Sequence, residues 1–128
     1  MNIQRFIVHG DPVAKPRQTR ADKWKKRPCV MKYRAWADSA RAQAGQVIGD
    51  VIGLSIISYI QMPSSWNRAK MNKMHRQLHR QKPDGDNILK SVADALFKHD
   101  QAISIHKSVK YWTIDNPRCE IEVWTYEQ

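Results

Sequence analysis

Residues 86–96 constrain the fold most. Ile88, Leu89, Val92, Ala95 and Leu96 recur there at helical spacing, while Asp86, Lys90 and Asp94 stand four apart on the opposite edge. At about 100° per residue, such a helix buries one face and leaves a strip of two carboxylates and one ammonium on the other. The buried face needs a partner layer, and the rest of the chain supplies strands. Residues 3–8 are rich in β-branched and aromatic side chains and stop at Gly10-Asp11-Pro12; residues 54–62 are a nearly continuous apolar run of strand length between Gly53 and Pro63. Residues 102–114 and 118–126 read as two more strands joined at Asp115-Asn116-Pro117, the last alternating Ile121, Val123 and Thr125 against Glu120, Glu122 and Trp124.

Two further helices are predicted. Tyr33, Trp36, Ala37, Ala40, Ala44, Val47 and Ile48 set one over 32–46, and Met71, Met74 and Leu78 set a basic one behind a Ser64 or Ser65 cap. A chain of 128 residues suits one core. The expected fold class is therefore α+β: a single compact domain over residues 1–128, with a mixed sheet of about four strands flanked by helices.

Charge narrows the function. The chain carries 22 Lys and Arg against 12 Asp and Glu, a formal charge of +10. Lys15, Arg17, Arg20, Lys23, Lys25, Lys26, Arg27, Lys32 and Arg34 form one block, interrupted by Asp22 alone. Arg68, Lys70, Lys73, Arg76, Arg80 and Lys82 form a second with no acid in it. Two such blocks are the electrostatic footprint of a nucleic-acid binder, which gains affinity by neutralising phosphates and releasing counterions. No long apolar run or basic amphipathic anchor argues for a membrane partner. Cys29 and Cys119 lack metal-ligand or disulfide-framework spacing and read as two reduced thiols, which with no targeting segment points to the cytoplasm.

Within this basic chain, Lys82-Pro-Asp-Gly-Asp-Asn-Ile-Leu-Lys90 concentrates acid, and Asp94 and Asp100 follow. Pro83-Asp84-Gly85 is a turn signal, and Asp86 stands where an N-cap is expected. Carboxylates gathered in a positive field favour a cation between them, and a divalent ion among Asp84, Asp86, Asp94 and Asp100 beside Lys and Arg suits phosphodiester hydrolysis. Lys90 would either stabilise the extra negative charge of the transition state or position the nucleophile. The plain alternative is that Asp84 and Asp86 are turn and cap residues, and that Lys90 and Asp94 are an exposed i, i+4 pair.

The string Lys82-Pro-Asp-Gly-Asp-Asn-Ile-Leu-Lys-Ser-Val-Ala-Asp-Ala-Leu-Phe97, with Asp100 shortly after it, resembles the signature of the RusA family of Holliday junction resolvases. Gly-Asp-Pro12 and Lys-Pro-Arg17 are similar to that family's N-terminal elements. The resemblance implies a small homodimeric, Mg²⁺-dependent endodeoxyribonuclease, often prophage-encoded, that makes paired symmetric nicks in a four-way DNA junction during recombination and repair. Mn²⁺ is expected to substitute. It matches Asp84, Asp86 and Asp100 to the metal-binding aspartates, Lys90 to the essential lysine, and Asp94 to a possible supporting acid. His99 departs from the pattern, which usually has an acid there. A broader flap or fork nuclease and a non-catalytic basic DNA-binding module are the rival readings.

The remaining features are read more plainly. His75 and His79, four apart on the predicted basic helix, are expected to be solvated or phosphate-facing rather than zinc ligands. Trp24 and Trp66 lie in the basic blocks, where they would either stack on unpaired bases or pack locally. Burial is expected for Trp36, Trp112 and Trp124.

Overall fold

The computed structural model describes residues 1–16, 27–97 and 103–126. Seven elements follow in the order β1 (Asn2–His9), α1 (Pro28–Ala44), β2 (Asp50–Gln61), α2 (Arg68–Met74), α3 (Gly85–Leu96), β3 (Ile105–Thr113) and β4 (Arg118–Tyr126). The strands form one sheet in the order β1-β4-β2-β3. β4 lies antiparallel to both β1 and β2, while β2 and β3 run parallel, so the sheet is mixed and the fold is α+β as the sequence predicts. A parallel pair needs a long crossover, and α2 and α3 supply it.

Period-two alternation decides the faces. On β4, Cys119, Ile121, Val123 and Thr125 are buried. Their neighbours Val8, Leu54 and Ile56 join Tyr33, Trp36 and Ala40 of α1 and Ile88 and Val92 of α3 in one core. Ile88, Val92, Leu54, Ile56 and Val123 have no exposed surface, and each side chain buried in this way stabilises the fold by about 1.5–3 kcal/mol. Truncating Ile88 to Ala, which opens a cavity between α3 and the sheet, would cost about 2–5 kcal/mol. Both long helices pack on this one face, so they cover the sheet rather than flank it on two sides. The opposite face bears Ile3, Arg5 and Ile7 of β1, Glu120, Glu122 and Trp124 of β4, Ile57 and Tyr59 of β2, and Ile105, Lys107, Val109 and Tyr111 of β3.

Several expected boundaries move, for identifiable reasons. The first helix begins at Pro28, not residue 32, because a proline at the first helical position costs no hydrogen bond. It ends at Gly45, whose φ of 72° suits glycine. β2 runs through Gly53, expected as a boundary; a side chain there would meet the Trp124 ring at 2.7 Å, so the glycine is required inside the strand. The basic helix is only seven residues long. It is capped by Asn67, whose side chain accepts from the Lys70 N–H at 2.8 Å, not by Ser64 or Ser65, and it stops at Met74. Ala102, the expected start of β3, lies outside the described residues.

Candidate active site

The acidic strip is assembled from a loop, a helix and the edge strand β3. Asp84 is the N-cap of α3, its carbonyl accepting from the N–H groups of Asn87 and Ile88 at 3.1 Å each, which displaces the expected cap, Asp86, into the first helical turn. The Asp84 carboxylate makes no capping hydrogen bond. Both Asp84 and Asp86 are exposed, and Lys90 is exposed one turn further along. Their position at the positive end of the helix dipole favours negative charge there.

Asp94 is drawn elsewhere. Its half-buried carboxylate pairs with the Lys15 ammonium, which comes from the segment after β1. That segment lies along α3: the Ser91 hydroxyl donates to the Val13 carbonyl, and the Lys15 N–H donates to the Asn87 carbonyl at 3.1 Å. Residue 13 thus sits beside residue 91 and residue 15 beside residue 87, so the chain heads toward the N-terminal end of α3, where Asp84 and Asp86 stand. Tyr33 of α1 lies next to this pair; burial, reinforced by the Asp94 charge, raises its pKa above the ordinary tyrosine value.

Asp100 and His99 lie outside the described residues, as do Arg17, Arg20, Lys23, Trp24, Lys25 and Lys26. Among the described residues no three His, Cys, Asp or Glu side chains come together. The structure thus brings Asp84 and Asp86 to one helix end, keeps Lys90 on the same exposed edge, and ties Asp94 to Lys15. Arg27 is half-buried where α1 begins.

In the second basic block, Arg68, Lys70, Lys73, Arg76, Arg80 and Lys82 are all exposed. The block is anchored from beneath. After α2 the chain pairs with the β3 edge, with the Arg76 N–H on the Trp112 carbonyl at 2.9 Å, the Trp112 N–H on the Gln77 carbonyl at 3.0 Å and the His79 N–H on the Lys110 carbonyl at 3.0 Å. His79 is therefore neither helical nor solvated, as the sequence had suggested. It is 5% exposed, its ring 4.1 Å from that of Trp112. Burial and the nearby Lys110 charge lower its pKa, so the neutral imidazole is the form the fold accommodates. Trp66 also packs on Trp112, with ring centroids 4.7 Å apart, and Lys70 lies 4.2 Å above the Trp66 ring. Local packing, not an open stacking platform, is its role here. His75 caps the end of α2 and accepts the Ile114 N–H on Nδ1 at 3.1 Å.

Two residues at this site carry no motif. Lys110 of β3 donates to the carbonyls of Gln81 and Pro83 at 2.6 and 2.7 Å, and the Ser108 hydroxyl donates to the Gly85 carbonyl at 3.0 Å. Their alternation on β3 places both side chains toward the loop, a signal visible only once that loop's path is known.

The chain matches the family described as endodeoxyribonuclease RusA over residues 9–124, nearly its whole length. It belongs to the RusA family. Members are endodeoxyribonucleases that act as Holliday junction resolvases, so this chain is a DNA-binding nuclease of recombination, and the binding-only reading is set aside. No curated protein matches it significantly. Nucleases of this kind generally need a divalent metal. The residues present fit one: Asp84 and Asp86 offer exposed hard oxygen donors, and the Asp84 carboxylate is not consumed in capping. No helix among the described residues is long and apolar enough to cross a membrane.

Proposed function

We propose that the chain, acting as one endonuclease domain, resolves four-way DNA junctions with Mg²⁺, and that Asp84, Asp86 and Asp100 hold the ion. The observation that carries this reading is the pair of exposed aspartates at the N-terminal end of α3, entered directly from the basic block that ends at Lys82. When bound, Mg²⁺ supplies a Lewis acid and an activated water for phosphodiester hydrolysis. The chain's own residues do the rest. Lys90, on the same edge as Asp86, offsets negative charge that develops on the scissile phosphate. Arg68, Lys70, Lys73, Arg76, Arg80 and Lys82 lie on the phosphate backbone and steer it to the aspartates. Lys15 and the arm residues Arg17, Arg20, Lys23, Lys25, Lys26 and Arg27 are assigned the same role. Hydrolysis leaves 5′-phosphate and 3′-hydroxyl ends, Mn²⁺ substitutes for Mg²⁺, and the enzyme serves recombination and repair in the cytoplasm.

The active form in this reading is a homodimer, since two symmetric nicks are most simply made by two identical sites related by a two-fold axis. The sheet face that no helix covers among the described residues supports it. Ile3, Ile7 and Ile105 are 44%, 48% and 40% exposed there, and the face carries both charge signs, with Arg5 3.4 Å from Glu122, in contrast to the uniformly basic block. An apolar face with mixed charge suits a second copy of the chain and repels DNA no less than it attracts it.

The deciding experiment compares purified protein with Mg²⁺ on a four-way junction, a replication fork and a linear duplex. Selective cleavage of the junction at paired opposed positions is expected; equal cleavage of all three substrates would replace the resolvase reading with a general nuclease.

A further inference from the structure

We infer that Lys110 and Ser108 are positioning residues for the metal: from β3 they pin the carbonyls of Gln81, Pro83 and Gly85, and so fix the backbone on both sides of Asp84. This rests on the proposed metal role of Asp84 and Asp86.

The geometry is specific. Asp84 has extended backbone, φ −69° and ψ 140°, immediately before the first helical residue, Gly85. The carbonyls of residues 81, 83 and 85 are taken by β3 side chains at 2.6, 2.7 and 3.0 Å, whereas the carbonyl of Asp84 points into α3 and starts the helix at 3.1 Å. The carbonyl of Asp84 and those of the residues on either side of it are thus tied to rigid elements. Lys110 donates to two carbonyls at once, a task for an ammonium with several donors on a flexible stem. Gly85 completes the fit, because a side chain there would come within 3.0 Å of the Ser108 hydroxyl. A carboxylate ligand held by its backbone loses little freedom when it binds an ion, and outer partners of this kind typically govern metal affinity.

The test is Mn²⁺ binding, followed by electron paramagnetic resonance in the absence of DNA, on Lys110→Met, Ser108→Ala, Lys110→Arg and Asp86→Asn. Lys110→Met is expected to weaken Mn²⁺ binding about 10-fold, and Ser108→Ala about threefold. Lys110→Arg, which keeps donors for both carbonyls, should recover most of the loss. Thermal unfolding of each variant separates this from a general loss of fold. A Lys110→Met protein that melts lower yet binds Mn²⁺ as the wild type does would overturn the inference. Should Lys110→Met fail to fold, Ser108→Ala decides, and unchanged affinity in that variant is equally fatal. Asp86→Asn guards the underlying reading: if it keeps wild-type Mn²⁺ affinity, the metal site itself is misassigned, whatever the β3 variants do.

Discussion

The two faces of the sheet share four strands and almost nothing else. One is sealed by α1 and α3, and its loop edge carries Asp84, Asp86 and Lys90 with exposed Arg and Lys beside them. The other has no helix among the described residues, leaves Ile3 and Ile7 nearly half exposed, and sets Arg5 against Glu122. The same β4 strand feeds both, Ile121 and Val123 inward and Glu120 and Glu122 outward. The contrast teaches what the proposed reading requires, a division of labour with chemistry and DNA on the helix side and a second copy of the chain on the open side.

The comparison breaks first at its chemical end. Asp86→Asn is expected to lower Mg²⁺-dependent cleavage of a four-way junction at least about 1000-fold, while binding in a gel-shift assay stays intact or tightens as a repulsive charge is removed. Lys90→Ala should lose about 100-fold in turnover with little change in affinity; a variant defective mainly in binding would move Lys90 into the DNA-holding set. On the open face, Ile7→Arg is expected to shift the protein from dimer to monomer in analytical ultracentrifugation and to turn paired nicks into single ones. If Ile7→Arg stays dimeric and still nicks in pairs, the division between faces is wrong.

Smaller effects sharpen the picture within the helix side. Asp94→Asn unpins Lys15 rather than removing a metal ligand, so cleavage should fall only about 10-fold while junction binding stays intact. A loss as deep as that of Asp86→Asn would place Asp94 among the metal-holding residues instead. His79 offers a pH test. Its folded pKa lies below the ordinary 6.5, so below that pH the unfolded chain takes up a proton that the fold resists. Stability contributed by neutral His79 is complete above 6.5 and drains away as pH falls toward the folded value. Denaturant titrations at pH 7.5 and 5.5 should show this decline, and His79→Gln should flatten it.

Much of this was legible in the residues, and what was not has physical reasons. The helix at residue 86 and the alternation of β4 are local patterns, so spacing alone finds them. The run from 68 to 78 is also helical by spacing, yet β3 captures its second half: Gln77 and His79 gain backbone partners and His79 gains Trp112, which outweigh helix propensity. Gly53 reads as a breaker because nothing in sequence announces that Trp124 will lie on it. Asp84, Asp86 and Lys90 are visible as a motif, whereas Ser108 and Lys110 are ordinary strand residues until the loop folds onto them. Asp94 belongs to the same motif, but its partner is 79 residues away in sequence.

The most direct test of the account is anomalous scattering from a crystal of the protein soaked in Mn²⁺. The account predicts a metal peak within coordination distance of the Asp84 and Asp86 carboxylates, with Asp100 brought to the same ion. Manganese bound elsewhere, with those two side chains left facing solvent, would contradict it.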